Sequence, residues 1–216
     1  MVSRADSVIL LHGLARSDRS MRKLEKALLD EGYSVHNVSY ASTRKHIEQL
    51  AEEAIGPALK LCPVDRKLHF VTHSLGGILV RQYLSQHPIA NLGRVVMLGP
   101  PNKGSEVVDT LRKFPGFHFI SGDAGLELGT GEGSVPNRLG AANFDLGIIA
   151  GTLSIDPILS PMIAGIDDGK VSVENTKLEG MQDHLEMEVT HSFMMRNSKV
   201  IEQVIHYLEN GQFSPG

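Results

Sequence analysis

Ser74 stands in the stretch T-H-S-L-G-G, residues 72–77, directly behind the apolar run L-H-F-V. A serine hydroxyl is a weak nucleophile. To attack a carbonyl it needs a base to take its proton, a group to orient that base, and hydrogen-bond donors for the oxyanion that forms. A sharp strand-to-helix turn supplies part of this. It lifts the serine off the carboxyl end of a strand and aims a helix N-terminus and the following amide at developing negative charge. The usual pattern for such a turn is G-x-S-x-G, and here Thr72 takes the place of the first glycine. Taken alone, the stretch admits two readings of Ser74, a nucleophile or a helix cap.

Other segments favour the nucleophile. H-G-L at 12–14 follows an apolar run, V-I-L-L, and offers the Leu14 amide as an oxyanion donor beside that of Leu75. The order expected with such a serine is serine, acid, histidine. Of ten histidines, His184, His191 and His206 lie after the candidate acids. His206 falls within the closing helix, and His184 lies at the wrong end of a strand. His191, in V-T-H-S, follows that strand at the carboxyl edge, where sites of open α/β sheets gather. The acid is expected to be Asp168 in D-D-G-K-V, with Asp156 and Asp167 as alternatives. G-P-P-N-K-G-S at 99–105 lies at the same edge and also reads as a rigid loop and helix cap. His12 and His73 flank the chemistry, with packing and loop hydrogen bonding as their expected roles.

The elements that position these residues are legible from periodicity. Strands are expected at 8–11, 33–39, 68–72, 95–98, 148–150 and 185–189, as continuous apolar or alternating runs. Helical spacing joins Met21, Leu24 and Leu28; Ile47, Leu50, Ala51 and Ala54; Leu75, Ile78, Leu79 and Tyr83; and Ile201, Val204, Ile205 and Leu208. Gly56-Pro57 should stop or kink the second of these helices, and Ser105 should cap a short helix. Strand and helix in alternation predict an α/β fold with a mostly parallel sheet of about six strands and helices on both faces. Residues 113–147 carry too many glycines for a stable helix and read as a loop region over the site. Phe114, Phe117, Met162 and Ile163 are apolar candidates for the substrate pocket, and Met194-Met195 should pack the closing helix.

Bulk properties narrow the function. The chain has 216 residues, 41% of them apolar and 21% charged, which suits a single domain over 1–216 with a substantial core. A formal net charge of -4 gives no basic excess for nucleic acid. Cys62 is the lone cysteine, a buried thiol or helix-end residue before Pro63, so no internal disulfide forms. No apolar run approaches the ~18 residues of a membrane span, and M-V-S-R-A-D-S is followed by a run too short for a signal segment. The expectation is a cytoplasmic protein without an export signal.

Together H-G-L, T-H-S-L-G-G, G-P-P-N-K-G-S, D-D-G-K-V and V-T-H-S resemble the α/β-hydrolase superfamily, and within it small bacterial lipases and esterases. The resemblance runs from about Val8 to the final helix. It implies Ser74 as nucleophile, Asp168 and His191 as its partners, the Leu14 and Leu75 amides as oxyanion donors, no cofactor, and a small-molecule ester as substrate. Such enzymes often carry a small residue in place of the first glycine of the serine motif. Larger bacterial lipases place a calcium-ligating aspartate shortly after the histidine, where this chain has Ser192, Phe193 and Met194, so no calcium site is expected. Without a helical lid at 113–147, soluble esters of short or medium acyl chains are expected rather than fat droplets. A thioesterase, acyltransferase or phospholipid deacylase would use the same residues, and a non-catalytic binding member of the fold is the remaining alternative.

Overall fold

The structure, a computed structural model, describes residues 6–155 and 157–215. Six strands form one sheet in the order β2-β1-β3-β4-β5-β6, every neighbouring pair parallel. They are β1 Ser7–Leu11, β2 Ser34–Val38, β3 Leu68–His73, β4 Leu92–Leu98, β5 Leu146–Gly151 and β6 Asp183–Met187. The chain steps outward from β1 to β2, crosses back to β3, and then proceeds in the other direction. The sheet therefore has a topological switch point between β1 and β3, at whose carboxyl end ligands bind in open α/β sheets.

Residues of the strands alternate between two cores. Ile9, Leu11, Phe70, Val95, Met97 and Ile148 pack with α2 (Ile47–Leu59) and α3 (Leu75–Gln86) on one face. Val8, Leu10, Val71, Val96, Leu98 and Ile149 pack with α1 (Arg22–Asp30) and α8 (Ser198–Asn210) on the other. Burial on both faces is why β1, β3 and β5 read as near-continuous apolar runs. Met194 and Met195 are fully buried against α8. Among the described residues no helix is long and apolar enough to cross a membrane.

Three expectations are corrected. Helix α2 does not stop at Gly56-Pro57 but runs through Pro57 to Leu59. The proline sits in the last turn, where it removes one helical donor, while Ile55 and Ala58 stay buried in the core. Ser105 occupies the cap position of α4 (Glu106–Leu111), yet its hydroxyl donates to the Lys170 carbonyl at 2.8 Å instead of capping the helix.

Residues 113–147 are not a structureless loop either: they form α5 (Phe117–Leu126) and α6 (Val135–Arg138), ahead of β5. The glycines fall at breaks and close approaches rather than inside long turns of helix. Gly122, at φ 64 and ψ -171, splits α5 in two. A Cβ there would lie 1.8 Å from the Thr43 carbonyl oxygen, so only glycine lets α5 rest on the loop after β2. Below it, the buried guanidinium of Arg81 on α3 donates to the carbonyls of Asn102 at 3.0 Å, Pro136 at 2.9 Å and Gly140 at 2.8 Å. Burial pulls its pKa down to about 10, and the three bonds tie the region around α6 to the loop after β4. The short α7 (Val173–Thr176) completes the helices.

Candidate active site

Ser74 leaves β3 in a conformation L-residues seldom adopt, φ 53 and ψ -121, immediately before α3. Two hydrogen bonds hold the turn. Ser74 N–H donates to Leu98 O at 2.9 Å, and Gly77 N–H donates to Ser74 O at 3.0 Å. A Cβ on Gly76 would come within 2.6 Å of the Leu11 carbonyl oxygen, so glycine is what lets α3 start over the end of β1. Thr72 lies fully buried in the sheet, level with Leu11 on β1 and Met97 on β4. The close helix-to-strand approach falls on Gly76 and Gly77, and the β-branched residue stays in the strand.

At the carboxyl edge beyond β5 and β6, His191 and Asp168 meet. The imidazole Nδ1–H donates to Asp168 Oδ2 at 2.7 Å, and the backbones join as well, His191 N–H to Asp168 O at 2.9 Å. The other carboxylate oxygen, Oδ1, accepts the N–H groups of Lys170 at 3.0 Å and Val171 at 2.9 Å. Both side chains are buried, His191 at 4% exposure and Asp168 at 2%. Gly99, at φ +54, closes over the pair: a Cβ there would lie 3.0 Å from Asp168 Oδ2 and 3.1 Å from His191 Nδ1. Asp167 is buried too but turns away, accepting from Ser160 Oγ at 2.8 Å and Gly169 N–H at 2.7 Å. Asp156 lies outside the described residues. With Nδ1–H committed to the carboxylate, the neutral His191 ring carries its lone pair on Nε2.

His73 supports His191 from below. It is 1% exposed, its Nε2–H donates to the His191 carbonyl at 2.9 Å, and the two rings pack at 4.8 Å. Burial, and after it the neighbouring His191, holds its pKa well below the ordinary value, so the ring stays neutral. His12 at the end of β1 is likewise buried and held neutral by burial. Its Nδ1–H donates to Gly13 O at 2.9 Å, and its ring stacks on Tyr40 at 4.0 Å. His184 lies within β6, bonded to Thr176 Oγ1 at 2.9 Å, and His206 within α8.

Leu14, Ser74 and His191 line one cleft of about 190 Å³. Its wall is apolar: Val107, Val108 and Leu111 of α4, Phe117 of α5, and Leu128. Arg16 and Lys170 stand in its lining as the cationic side chains. Of the residues expected in a substrate pocket, Phe117 lines this cleft. Phe114 is 58% exposed on the surface, Ile163 is buried elsewhere, and neither they nor Met162 line it. Leu75, fully buried, adjoins Ser74 as the first residue of α3, where its N–H has no intrahelical acceptor. The signal that could have found the α4 wall is its position directly after the loop that closes β4. A larger cavity, about 680 Å³, opens at the opposite, amino edge between Asp6, His69, Arg94 and Asp145. It holds neither the serine nor the buried acid–histidine pair. Among the described residues no group of His, Cys, Asp and Glu could hold a metal ion.

No family model matches the chain, and no curated protein matches it. Solved structures do. The mature lipase BlEst2 of Bacillus licheniformis superposes with a TM-score of 0.68 at 19% identity, over 94% of this chain and 91% of that one. An esterase of Exiguobacterium antarcticum gives 0.62 at 18%, over 97% and 94%. The phospholipase PlaB of Legionella pneumophila gives 0.63 at 20%, over 79% of this chain and 44% of that one. At such identities the likeness is one of architecture, and it agrees with the sheet order and the strand-to-helix turn: the chain has the α/β-hydrolase fold and resembles bacterial lipases and esterases.

Proposed function

We propose that the protein is a serine hydrolase that cleaves carboxylic esters of short to medium acyl chains. The observation that carries this reading is the buried Asp168–His191 pair, bonded at 2.7 Å and opening on the same cleft as Ser74 in its strained turn. Ser74 Oγ attacks the ester carbonyl while His191 Nε2 takes its proton. Negative charge collects on the carbonyl oxygen, where the Leu14 and Leu75 amides receive it. His191 then passes the proton to the leaving alcohol, and the acyl group stays on Ser74. Water, deprotonated by His191, attacks the acyl-enzyme and frees the acid. Throughout, Asp168 holds the ring in the productive tautomer and offsets its charge when protonated. The apolar wall fits an acyl chain. Its 190 Å³ lies under the ~300 Å³ at which pockets for drug-sized ligands begin, which favours a short chain.

Ser74→Ala is expected to keep the fold and to abolish hydrolysis of p-nitrophenyl butyrate. Turnover retained in a clean preparation of that variant overturns the reading. A second reading, deacylation of a phospholipid, draws on Arg16 and Lys170 in the cleft lining, which suit an anionic leaving group, and on the likeness to a phospholipase. A chain-length series over neutral esters, thioesters and phospholipids separates the readings.

A further inference from the structure

The turn that carries Leu14 is held from outside the site. Ala15 sits at φ 53, one of two non-glycine residues with positive φ among the described residues, the other being Ser74. A left-handed alanine is strained and persists only where its surroundings enforce it. What enforces it here is Ser42, in the loop between β2 and α2. Its hydroxyl oxygen accepts the Ala15 N–H at 3.0 Å, and the side chain is 3% exposed although Ala15 itself is exposed. The same loop grips the turn a second time through Tyr40. That ring stacks on His12 at 4.0 Å, its hydroxyl donates to His12 O, and its N–H reaches His12 Nε2 at 3.4 Å.

The amides of the turn are thereby sorted. Ala15 N–H goes to Ser42 Oγ and Arg16 N–H to Gly13 O at 3.3 Å, and among the described residues no protein acceptor meets the Leu14 N–H. We propose that Ser42 is a positioning residue for the oxyanion donor: its bond to Ala15 holds the turn in the left-handed conformation that keeps the Leu14 N–H uncommitted beside Ser74. The inference rests on the hydrolase reading above and adds to it a residue outside the cleft. It acts on the transition state because the donor must already stand where charge develops, not where the neutral carbonyl sits.

The test compares wild type, Ser42→Ala and Ser42→Thr on p-nitrophenyl butyrate. It also measures their affinity for a trifluoromethyl ketone of the same acyl length, whose adduct with Ser74 bears the oxyanion. For Ser42→Ala, kcat is expected to fall about 10- to 100-fold with KM within about twofold, and ketone affinity to weaken in step with kcat. Ser42→Thr, which keeps the hydroxyl, should recover most of the loss. An unchanged kcat, or a kcat loss with ketone affinity unmoved, overturns the proposal. Hydrogen exchange on the wild type needs no variant to fold. The Ala15 amide should be protected despite its exposed residue, and the Leu14 amide should gain protection only in the ketone adduct. Free exchange at Ala15 overturns the proposal. Fluorophosphonate labelling of wild-type Ser74 separates the two levels: no labelling sinks the hydrolase reading and this inference with it, whereas labelling with unmoved Ser42→Ala kinetics sinks this inference alone.

Discussion

The carboxyl edge of the sheet and the segment that we propose covers it are built on opposite terms. At the edge, the acid and the base of the proposed chemistry are over-determined. Asp168 is held by two backbone N–H groups and by His191, while His191 is held by Asp168, by its own backbone bond and by His73. Over it, α5 is split at Gly122 and turns Phe117 to the cleft while leaving Phe119 94% exposed and Ile120 69% exposed. Where the proposed chemistry passes a proton between fixed atoms, the chain uses buried hydrogen bonds to main chain. Where the proposed acyl chain would lie, it presents apolar surface on short helices. Positional demands of the chemistry and adaptability toward substrate are thus assigned to different parts of one chain.

The strongest way to break this contrast is Asp168→Asn, a change of one atom. The Lys170 and Val171 N–H groups require an oxygen at the Oδ1 position, so the amide oxygen of the variant must stay there. The NH2 group then faces His191 Nδ1, which can meet it only as an acceptor. The ring is driven to the tautomer with its proton on Nε2, where it cannot take the proton of Ser74. A loss of about 10⁴ in kcat is expected, with the fold intact. Steady-state kinetics beside circular dichroism checks it, and a loss under about tenfold would mean that the pair does not orient the base.

Gly122→Ala tests the cover, with a smaller effect expected. The new Cβ would fall 1.8 Å from Thr43 O, at a φ/ψ pair open to glycine almost alone, so the backbone of α5 must lift from the loop after β2. The strain of roughly 1–3 kcal/mol should lower Tm by roughly 2–10 °C. Proteolytic cleavage should increase within 113–130, while fluorophosphonate still labels Ser74 to completion. If labelling is lost as well, the cover and the edge are one unit and the contrast fails.

What the sequence disclosed follows the same division. The placement of Ser74 and His191 at the carboxyl edge was legible because each rides on a local signal, an apolar strand that ends in a turn there. Asp168 was preferred on its D-G turn, but its neighbour stayed open, since D-D-G places carboxylates on adjacent residues and only side-chain direction sends Asp168 to His191 and Asp167 to Ser160. The cover was misread because glycine content was weighed as average propensity, whereas tertiary contacts place Gly122 at a break against Thr43. Pro57 misled in the same way, its cost being confined to one lost bond in the last turn of a buried helix. Arg16, Val107, Leu111 and Leu128 carry no motif. They meet at the cleft because β1, β4 and the region after α5 converge there, a long-range fact that spacing does not encode.

The smallest effect expected is on the pH dependence of stability, and it too separates the two regions. His73 and His12, at the edge, are buried and held neutral, both with pKa below the ordinary histidine value because burial penalises the charged ring. His118, on α5, is exposed and bonded to Asp123 at 2.9 Å. In the unfolded chain the buried pair titrates near 6.5, so below that pH the unfolded state binds protons that the folded state refuses. Their contribution is complete above pH ~6.5 and is lost as pH falls from there toward the lowered folded values. Each such ring adds at most about 1.4 kcal/mol per pH unit to the slope. Urea midpoints should therefore drop between about pH 7 and 5. His73→Gln, which can still donate to the His191 carbonyl, should flatten that drop by about one proton. A drop left unchanged by His73→Gln would show that burial at the edge does not keep that ring neutral, and the contrast between edge and cover would lose its electrostatic part.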